Sequence, residues 1–345
     1  MKVLLFFSGK DSLSKSFYKG FVDNSFDVRI INFQEFHTDF RNTFYEMSIL
    51  IPKKIRKIIE KDYFSSIQKK YLEIVQREQP ELVFIYNDQM VQASTVKEIK
   101  KIAKVAVYLA DSPFFLQRRE HILPMLLETD HVFAPDSFWI EQLKAIGLKN
   151  ASFLLGGYNM EDEEEIVISE EDNKRYTSDL FYLGSTYNDS WGYKRALFLS
   201  KFVETDIKIY GPPNWKYWFT YFPELEAKMV LGERISPPTV RKIMKCCKLY
   251  PVDSNPGIIN GIHVRIFDSI ASGLLPLVEF KKDLETAFPG FEIPVIRNYN
   301  DIPELVQKNL ADDNKRIEIV KGLQKYLNEM YNPGKIVSQI LRKIF

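Results

Sequence analysis

Two series of short apolar runs, separated by helical patterns, constrain the fold of this chain more than any other feature. The first series consists of the runs VLLFF, VRIINF, LVFIYN, VAVYLA, HVFAPD and ASFLLG. Continuous apolar strands that alternate with helices are typical of a parallel sheet covered on both faces. Residues 1–158 are therefore predicted to form a Rossmann-like α/β domain.

The same alternation starts again after an acidic interruption. The segment YNMEDEEEIVISEEDNKRY breaks the pattern, and we interpret residues 159–178 as an acidic, solvated linker rather than a metal site. The runs DLFYLGS, IKIYG, KLYPVD, LLPLVE and IPVIRNY then predict a second Rossmann-like domain over residues 179–330. We expect the two domains to face a central cleft, because ligands bind outside the carboxyl ends of the strands in open α/β sheets.

The last part of the chain has a helical pattern. Ile336, Ile340 and Ile344 recur at helical spacing after Pro333. We expect residues 331–345 to form a helix that crosses back and packs on the N-terminal domain.

The composition narrows the class of protein. A formal net charge of +1 gives no electrostatic footprint for nucleic acid. The two cysteines, Cys246 and Cys247, are neighbours, so they make neither a disulfide framework nor a CxxC metal motif. The histidines lack the spacing of a zinc site, and no apolar stretch has membrane-spanning length. We therefore expect a cytoplasmic protein that uses no metal and no cofactor and binds no nucleic acid.

The most informative stretch for chemistry runs from Asp253 to Glu279. A strand ends at Asp253, a loop rich in Gly, Pro and Asn follows, and a helix is predicted to begin near residue 262 or 263. Free amides at such a helix start suit a diphosphate. Arg265 and Asp268 share one helix face, so the cation could meet phosphate while the carboxylate accepts ribose hydroxyls. The alternative is a surface ion pair that needs no ligand.

This stretch resembles the C-terminal signature of glycosyltransferases of the GT-B fold, and most of all the CgeB-like group, named for a spore maturation protein. The pattern of that group is an Asn-containing loop, then Gly-x-x-x-Arg-x-Phe-Glu, then Ala-x-Gly. The matching residues of this chain are Asn255, Gly261, Arg265, Phe267, Asp268, Ala271 and Gly273. Three further segments are similar to the same group in the same order: LADSPF, FYLGSTYNDSWGYKRALFL and IKIYGPPNW.

The resemblance implies transfer of a sugar from a nucleoside-diphosphate sugar to a glycan, lipid-linked or protein acceptor, without a metal. In such enzymes helix amides and Arg or Lys neutralise the leaving diphosphate. Arg195, Arg265 and Lys194 are the candidate cations, and His263 could bind phosphate or sugar or cap its helix. The full expected donor site comprises Gly184, Ser185, Arg195, Tyr210, Asn255, Asn260, Gly261, His263, Arg265 and Asp268.

The chain departs from this family at one position that bears on activity. Retaining enzymes of the commonest type carry Glu-x7-Glu, and here Asn260 replaces the first Glu while Asp268 stands for the second. The stereochemical outcome therefore stays open, and so does a catalytically inactive protein that binds a nucleotide or glycan as a scaffold or maturation factor. An inverting reaction needs a base at a strand end, for which Asp111 is the first candidate and Asp88 the second. An Asp before Ser-Pro is also a common turn former.

The turn after the first strand, SGKDS, resembles the SGGxDS loop of PP-loop ATP pyrophosphatases. Its second glycine is replaced by Lys10, and a residue with a Cβ resists the backbone conformation that closes on phosphates. We interpret the segment as a βα turn in which Asp11 or Ser12 caps the next helix and Gly9 and Lys10 contact substrate without ATP hydrolysis.

Residues 51–75 combine isoleucines with a group of basic side chains. The residues concerned are Ile51, Ile55, Ile58 and Ile59, and Lys53, Lys54, Arg56, Lys57 and Lys61. Such a helix could dock on an anionic membrane that carries a lipid-linked acceptor. We favour the alternative, in which the helix covers its own sheet and shows its lysines to water.

Overall fold

The chain folds into two compact units, each built around a parallel sheet. The computed structural model describes residues 1–7, 11–88, 90–114, 119–160, 166–232 and 235–345. Unit 1 comprises Met1–Tyr158 and Tyr331–Phe345, and unit 2 comprises Asn159–Met330. Within the described residues each unit contains one six-stranded sheet. The prediction of an α/β protein with two Rossmann-like domains is confirmed.

The sheet of unit 1 has the strand order β2-β1-β3-β4-β5-β6. Its strands are β1 Lys2–Phe6, β2 Asp27–Ile31, β3 Leu82–Tyr86, β4 Lys104–Tyr108, β5 His131–Ala134 and β6 Ala151–Phe153. All pairings are parallel; for example, Val3 of β1 lies opposite both Val28 and Leu82. The central strand β3 is buried along its whole length, as expected for a strand covered on both faces.

Helices and short 3-10 turns connect these strands. They are α1 Ser12–Asp23, the turn Phe33–Phe36, α2 Asp39–Met47, the turn Ser48–Leu50, α3 Lys53–Glu78, α4 Ala93–Ile99, α5 Ile122–Glu128 and α6 Ser137–Ala145. The side chain of Asp11 caps α1 by accepting a hydrogen bond from the Ser14 amide at 2.9 Å. Of the two expected caps, Asp11 is therefore the one used.

The last helix of the chain completes unit 1. This helix spans Pro333–Ile344, and its buried side chains Ile336, Val337 and Ile340 join the same core as Phe17 and Phe21 of α1. It approaches α1 closely at Gly20, where a Cβ atom would lie 2.4 Å from the carbonyl oxygen of Pro333. The prediction that the C-terminal helix returns to the N-terminal domain is confirmed.

The sheet of unit 2 has the strand order β12-β11-β10-β7-β8-β9, and all of its pairings are parallel. Its strands are β7 Leu180–Leu183, β8 Ile207–Gly211, β9 Met229–Leu231, β10 Leu249–Val252, β11 Leu275–Glu279 and β12 Val295–Ile296. The chain fills one half of the sheet from β7 to β9 and then returns to build the other half from β10. The boundary between β7 and β10 is thus a topological switch point, where a crevice opens at the carboxyl ends of the strands.

The helices and 3-10 turns of unit 2 lie between its strands and after the last of them. They are α7 Glu170–Tyr176, α8 Ser190–Ser200, the turns Pro213–Thr220 and Pro223–Lys228, α9 Pro237–Lys245, α10 Arg265–Ala271, α11 Leu284–Ala287, the turn Tyr299–Asp301, α12 Ile302–Leu310 and α13 Asp313–Met330; the returning helix Pro333–Ile344 is α14. Among the described residues no helix has the length and apolarity that crossing a membrane requires.

Two segments differ from their sequence-based expectations. Part of the expected acidic linker is helix α7, because Ser169 and Asp172 form a capping box and Asp172 pairs with Lys242 at 2.8 Å. Residues 161–165 of that segment lie outside the described residues. The helix expected to begin near residue 262 or 263 begins at Arg265 instead.

Candidate anion site at the switch point of unit 2

A buried carboxylate lies at the switch point, directly after β10. Asp253 follows the last residue of β10, and Tyr182 belongs to the neighbouring strand β7. The phenol of Tyr182 donates a hydrogen bond to Asp253 Oδ1 at 2.9 Å, and both side chains are buried. The pairing of the two strands therefore fixes an acceptor at the carboxyl end of the sheet.

Arg195 of α8 holds the other side of this carboxylate. Its Nε donates to Asp253 Oδ2 at 2.7 Å and its Nη1 donates to the carbonyl of Ser185 at 2.6 Å. The guanidinium also lies over the ring of Trp191, 4.6 Å from the centroid. The side chain of Arg195 is only 5% exposed. Arg195, expected to meet the donor phosphates, is therefore a buried residue that orients Asp253 and the loop after β7.

Arg265, the first residue of α10, is the more accessible cation. Its Nη1 donates to Asp253 Oδ1 at 3.1 Å and to the Tyr182 hydroxyl at 3.2 Å, and its side chain is 18% exposed. No partner for its Nε or Nη2 occurs in the described part of the chain. A Cβ at Gly184 would lie 3.1 Å from Nη2, so the glycine lets the loop backbone approach the guanidinium. Arg265 can thus offer donors to an anion.

The charges of this cluster do not cancel. Burial would raise the pKa of Asp253, but the charges of Arg195 and Arg265 and the hydrogen bonds from Arg195 and Tyr182 outweigh it and lower that pKa. Asp253 therefore stays ionised and compensates one of the two guanidinium groups. The remaining positive charge suits an anionic ligand.

A second charged group ends the neighbouring strand β11. Glu279 accepts hydrogen bonds from Lys194 at 2.8 Å, Tyr299 at 2.8 Å and the backbone amide of Ser254 at 2.7 Å. Burial opposes ionisation of Glu279, but these partners lower its pKa. Lys194, also a candidate phosphate contact, is thus paired with Glu279, and the pair adds no net charge. Counted over Arg195, Arg265, Asp253, Lys194 and Glu279, the cluster keeps one positive charge.

His263 caps the start of α10. Its Nδ1 accepts a hydrogen bond from the backbone amide of Arg265 at 3.1 Å. Burial, and then the charge of Arg265, lower the pKa of His263 to about 3, so the imidazole is neutral at physiological pH. Of the roles left open for His263, the geometry supports the cap. The same bond occupies one amide that was expected to be free for a diphosphate.

The other expected donor-site residues of unit 2 contribute mainly through the backbone. Tyr210 is buried beside Phe181, and its carbonyl accepts from the Gly184 amide at 3.1 Å. Asn255 shapes its loop by accepting from the Gly257 amide at 2.8 Å.

Three more expected residues flank this cluster. The carbonyl of Asn260 accepts from the Asp283 amide at 3.0 Å, and Gly261 is buried in the same loop. Asp268 lies in the first turn of α10, three residues after Arg265. The ion pair that Arg265 makes is with Asp253, so the sequence alternative of a simple Arg265–Asp268 surface pair does not describe this site.

The expected catalytic residues belong to unit 1. Asp88 is buried, accepts hydrogen bonds from the Tyr71 hydroxyl and from the Met90 amide at 2.9 Å, and its pKa is raised to about 6, mainly by burial. These bonds hold the loop after β3, which leaves Asp88 poorly placed to take a substrate proton. Asp111 is exposed, three residues after the end of β4. Gly9 and Lys10 lie outside the described residues.

Sequence reasoning missed Tyr182, Asp253 and Glu279 as site residues. The available signal was positional, because Asp253 and Glu279 lie at the carboxyl ends of two predicted strands. In the portions of the chain that the structure describes, no group of three or more His, Cys, Asp or Glu side chains could hold a metal ion.

Comparison with known proteins agrees with this architecture. A family described as glycosyl transferase-like matches residues 194–342, which include Arg195, Asp253 and Arg265. No curated protein matches the chain in sequence.

Solved structures match over nearly the whole length. The Anabaena protein HepE, in complex with UDP and glucose, is 12% identical, with 99% of this chain and 98% of that one covered at a TM-score of 0.64. The UDP-forming trehalose-phosphate synthase of Burkholderia xenovorans is 8% identical, with 99% and 98% covered at 0.68. The lipopolysaccharide outer core galactosyltransferase WaaB, in its apo form, is 13% identical, with 100% and 99% covered at 0.64. At these identities the likeness shows the fold, which is that of the GT-B glycosyltransferases.

Proposed function

We propose that this protein is a glycosyltransferase that takes a sugar from a nucleoside-diphosphate sugar, in the manner of the CgeB-like group. The observation that carries the proposal is the guanidinium of Arg265, which lies at a topological switch point with unused donors and shares the single carboxylate of Asp253 with Arg195. Diphosphates bind where guanidinium groups and close backbone approach coincide. The relative HepE, crystallised with UDP and glucose, supports the choice of ligand class.

The donor would lie with its diphosphate between Arg265 and the loop of Gly184 and Ser185. Gly184 allows the loop backbone to come close, and Ser185 is exposed next to it. Asp268, one turn further along α10, is the proposed acceptor for the ribose hydroxyls. Arg265 would neutralise the charge that develops on the leaving diphosphate. Transfer is therefore expected to persist in EDTA.

The acceptor hydroxyl must lose its proton during transfer. We propose Asp111 as the general base, because it is exposed at the carboxyl end of a strand, whereas Asp88 is buried. The phenol of Tyr86 lies close to Asp111 and donates to Asp11 at 3.0 Å, so polar groups of three strand ends gather there. Replacement of Asp111 by Asn should lower kcat and leave donor affinity unchanged.

The experiment is a titration of the purified protein in EDTA with UDP, GDP, CDP, dTDP and ATP, read as thermal stability, because a ligand that binds only the folded state raises it. A shift with one nucleoside diphosphate supports the proposal and identifies the donor base. The matching nucleotide sugars are then incubated with the protein, and release of nucleoside diphosphate is measured. A shift with ATP alone, or with no nucleotide, contradicts the proposal.

A protein that binds a nucleotide or glycan without turnover is the second candidate, and Asn260 favours it because a retaining enzyme of the commonest type has a Glu there. Binding of a nucleoside diphosphate without release from any donor sugar, with a panel of acceptors present, is the result that would establish this candidate. Donor hydrolysis or transfer would exclude it.

A further inference from the structure

Unit 1 exposes a group of large apolar side chains on α2, the following turn and the first turns of α3. The group, here called the apolar face, comprises Phe40, Phe44, Met47, Leu50, Ile55 and Ile58. Phe40 is 82% exposed, Leu50 80% and Ile58 71%. Single exposed apolar residues are ordinary, but a contiguous group of this size marks an interaction site.

Helical spacing aligns these side chains within each helix. Phe40, Phe44 and Met47 recur at i, i+4 and i+7 on α2, and the rings of Phe40 and Phe44 are stacked with centroids 6.4 Å apart. Ile55 and Ile58, at i and i+3, share one side of α3. The short turn Ser48–Leu50 joins the two helices, and the exposed Leu50 stands between the two rows in sequence.

The apolar face is not part of the core of unit 1, because later residues of α3 make the contacts with the sheet. Further along α3, Ile67, Tyr71 and Val75 are buried and cover the sheet, with the ring of Tyr71 stacked on Phe6 at 4.4 Å. The helix therefore does cover its own sheet, as favoured from sequence, but only with its later turns. Its first turns present isoleucines to solvent.

Unpaired positive charge borders the apolar face. Lys54, Lys57 and Lys61 are exposed at i, i+3 and i+7 on α3, and no carboxylate in the described part of the chain pairs with them. The nearest acids on α3 are already engaged, since Glu60 pairs with Arg56 and Asp62 with Arg41.

Acidic residues of α2 do not offset these lysines. Asp39 and Glu46 line a separate cavity of about 520 Å³, together with Asn42, Tyr63 and Arg119. The three lysines therefore lie beside the apolar face, while these two carboxylates belong to another surface of the unit.

We propose that the apolar face docks on a membrane that contains anionic lipids. Phe, Leu and Ile side chains suit the boundary between headgroups and acyl chains, and a row of lysines beside them suits lipid phosphates. A second copy of this chain is a poorer occupant, because a two-fold contact through the same face would bring its lysine rows together. The proposal is independent of the function assigned to unit 2.

The test is co-sedimentation of the full chain with vesicles of phosphatidylcholine alone and of phosphatidylcholine mixed with phosphatidylglycerol. Binding should be at least about tenfold stronger to the anionic vesicles and should weaken with salt. The triple variant Phe40→Ser/Leu50→Ser/Ile58→Ser should lose binding by about tenfold or more, and so should Lys54→Glu/Lys57→Glu/Lys61→Glu. The exposed residues Val167 and Lys321 of unit 2 provide the controls Val167→Ser and Lys321→Glu, which should bind as the native protein does.

Three results would overturn the proposal. They are equal binding to both vesicle types, no binding to either, and native-like binding by both triple variants. Sedimentation velocity without vesicles tests whether a second copy of the chain occupies the apolar face instead. A dimer that the Phe40→Ser/Leu50→Ser/Ile58→Ser variant abolishes would assign the apolar face to that second copy. All substituted side chains are exposed, and circular dichroism of each variant should match that of the native protein.

Discussion

Replacement of Arg265 by Ala is the sharpest test of the anion site. Arg265 has one nitrogen bonded to Asp253 and Tyr182, and its other donors are proposed to meet the diphosphate. Asp253 keeps its hydrogen bonds from Arg195 and Tyr182 in the variant, so the buried carboxylate is not left without a partner. Unit 2 should therefore still fold, and loss of ligand affinity should be the main effect.

The expected magnitude follows from one charge-assisted contact. Hydrogen bonds to charged groups contribute about 1.5–3 kcal/mol, so Arg265→Ala should raise the Kd for the nucleoside diphosphate by about ten- to 150-fold. The corresponding nucleoside should lose little affinity, because it lacks the phosphates. This difference separates a phosphate contact from a general loss of structure.

Isothermal titration calorimetry of the native protein and the variant would measure both affinities. Arg175→Ala is the matched control, because Arg175 is an exposed arginine of the same unit on α7, before β7, where it lies over the ring of Tyr176, 5.2 Å from the centroid. The control should bind as the native protein does. An Arg265→Ala variant that is folded and binds the nucleoside diphosphate within twofold of the native Kd would refute the assignment.

Three further predictions concern stability. Gly20→Ala should destabilise the protein in urea unfolding because its Cβ would meet the Pro333 carbonyl at 2.4 Å. Gly322→Ala in α13, whose Cβ would have its nearest contact at 3.4 Å with the ring of Phe291, should be neutral or stabilising by about 0.5–1 kcal/mol. His263→Ala should cost about 1 kcal/mol through loss of the hydrogen bond to the Arg265 amide. Between pH 6 and 8 the variant should show the same pH dependence of nucleotide affinity as the native protein, because the pKa of His263 is about 3 and its imidazole does not titrate there. Folding lowers the pKa of Asp253, so ionised Asp253 stabilises the folded protein fully above the unfolded carboxyl pKa of about 4, and this stabilisation is lost as pH falls below that value. The free energy of unfolding of Asp253→Asn should therefore fall less steeply with pH in this acidic range than that of the native protein. An unchanged slope would contradict the buried ion pair.

The strands could be predicted from sequence because their signal is local. Runs such as LVFIYN and KLYPVD need no partner to be recognised as buried strands, and the structure places β3 and β10 within them. The start of α10 is less predictable, because the loop before it is rich in glycine and the N-cap residue is Val264 instead of the usual Ser, Thr, Asp or Asn, while His263 bonds the Arg265 amide from one residue earlier.

The candidate site could be predicted only in part, because its contacts join distant parts of the chain. Asp253 is 71 residues from Tyr182 and 58 from Arg195 in sequence, and they meet only because β10 pairs with β7. A sequence pattern indicates Arg265 as a cation on a helix, but it does not show which carboxylate that cation faces. For the same reason the burial of Arg195, which the sequence indicates as a candidate phosphate contact, could not be predicted.

The return of α14 to unit 1 has a consequence for the order in which the chain matures. During synthesis, residues 159–330 leave the ribosome before residues 331–345. Unit 2 can therefore fold while the core of unit 1 still lacks Ile336, Val337 and Ile340. Until then Phe17 and Phe21 of α1 lack the side chains that cover them in the finished unit. Unit 1 is therefore the first unit to be synthesised and the last to complete its fold.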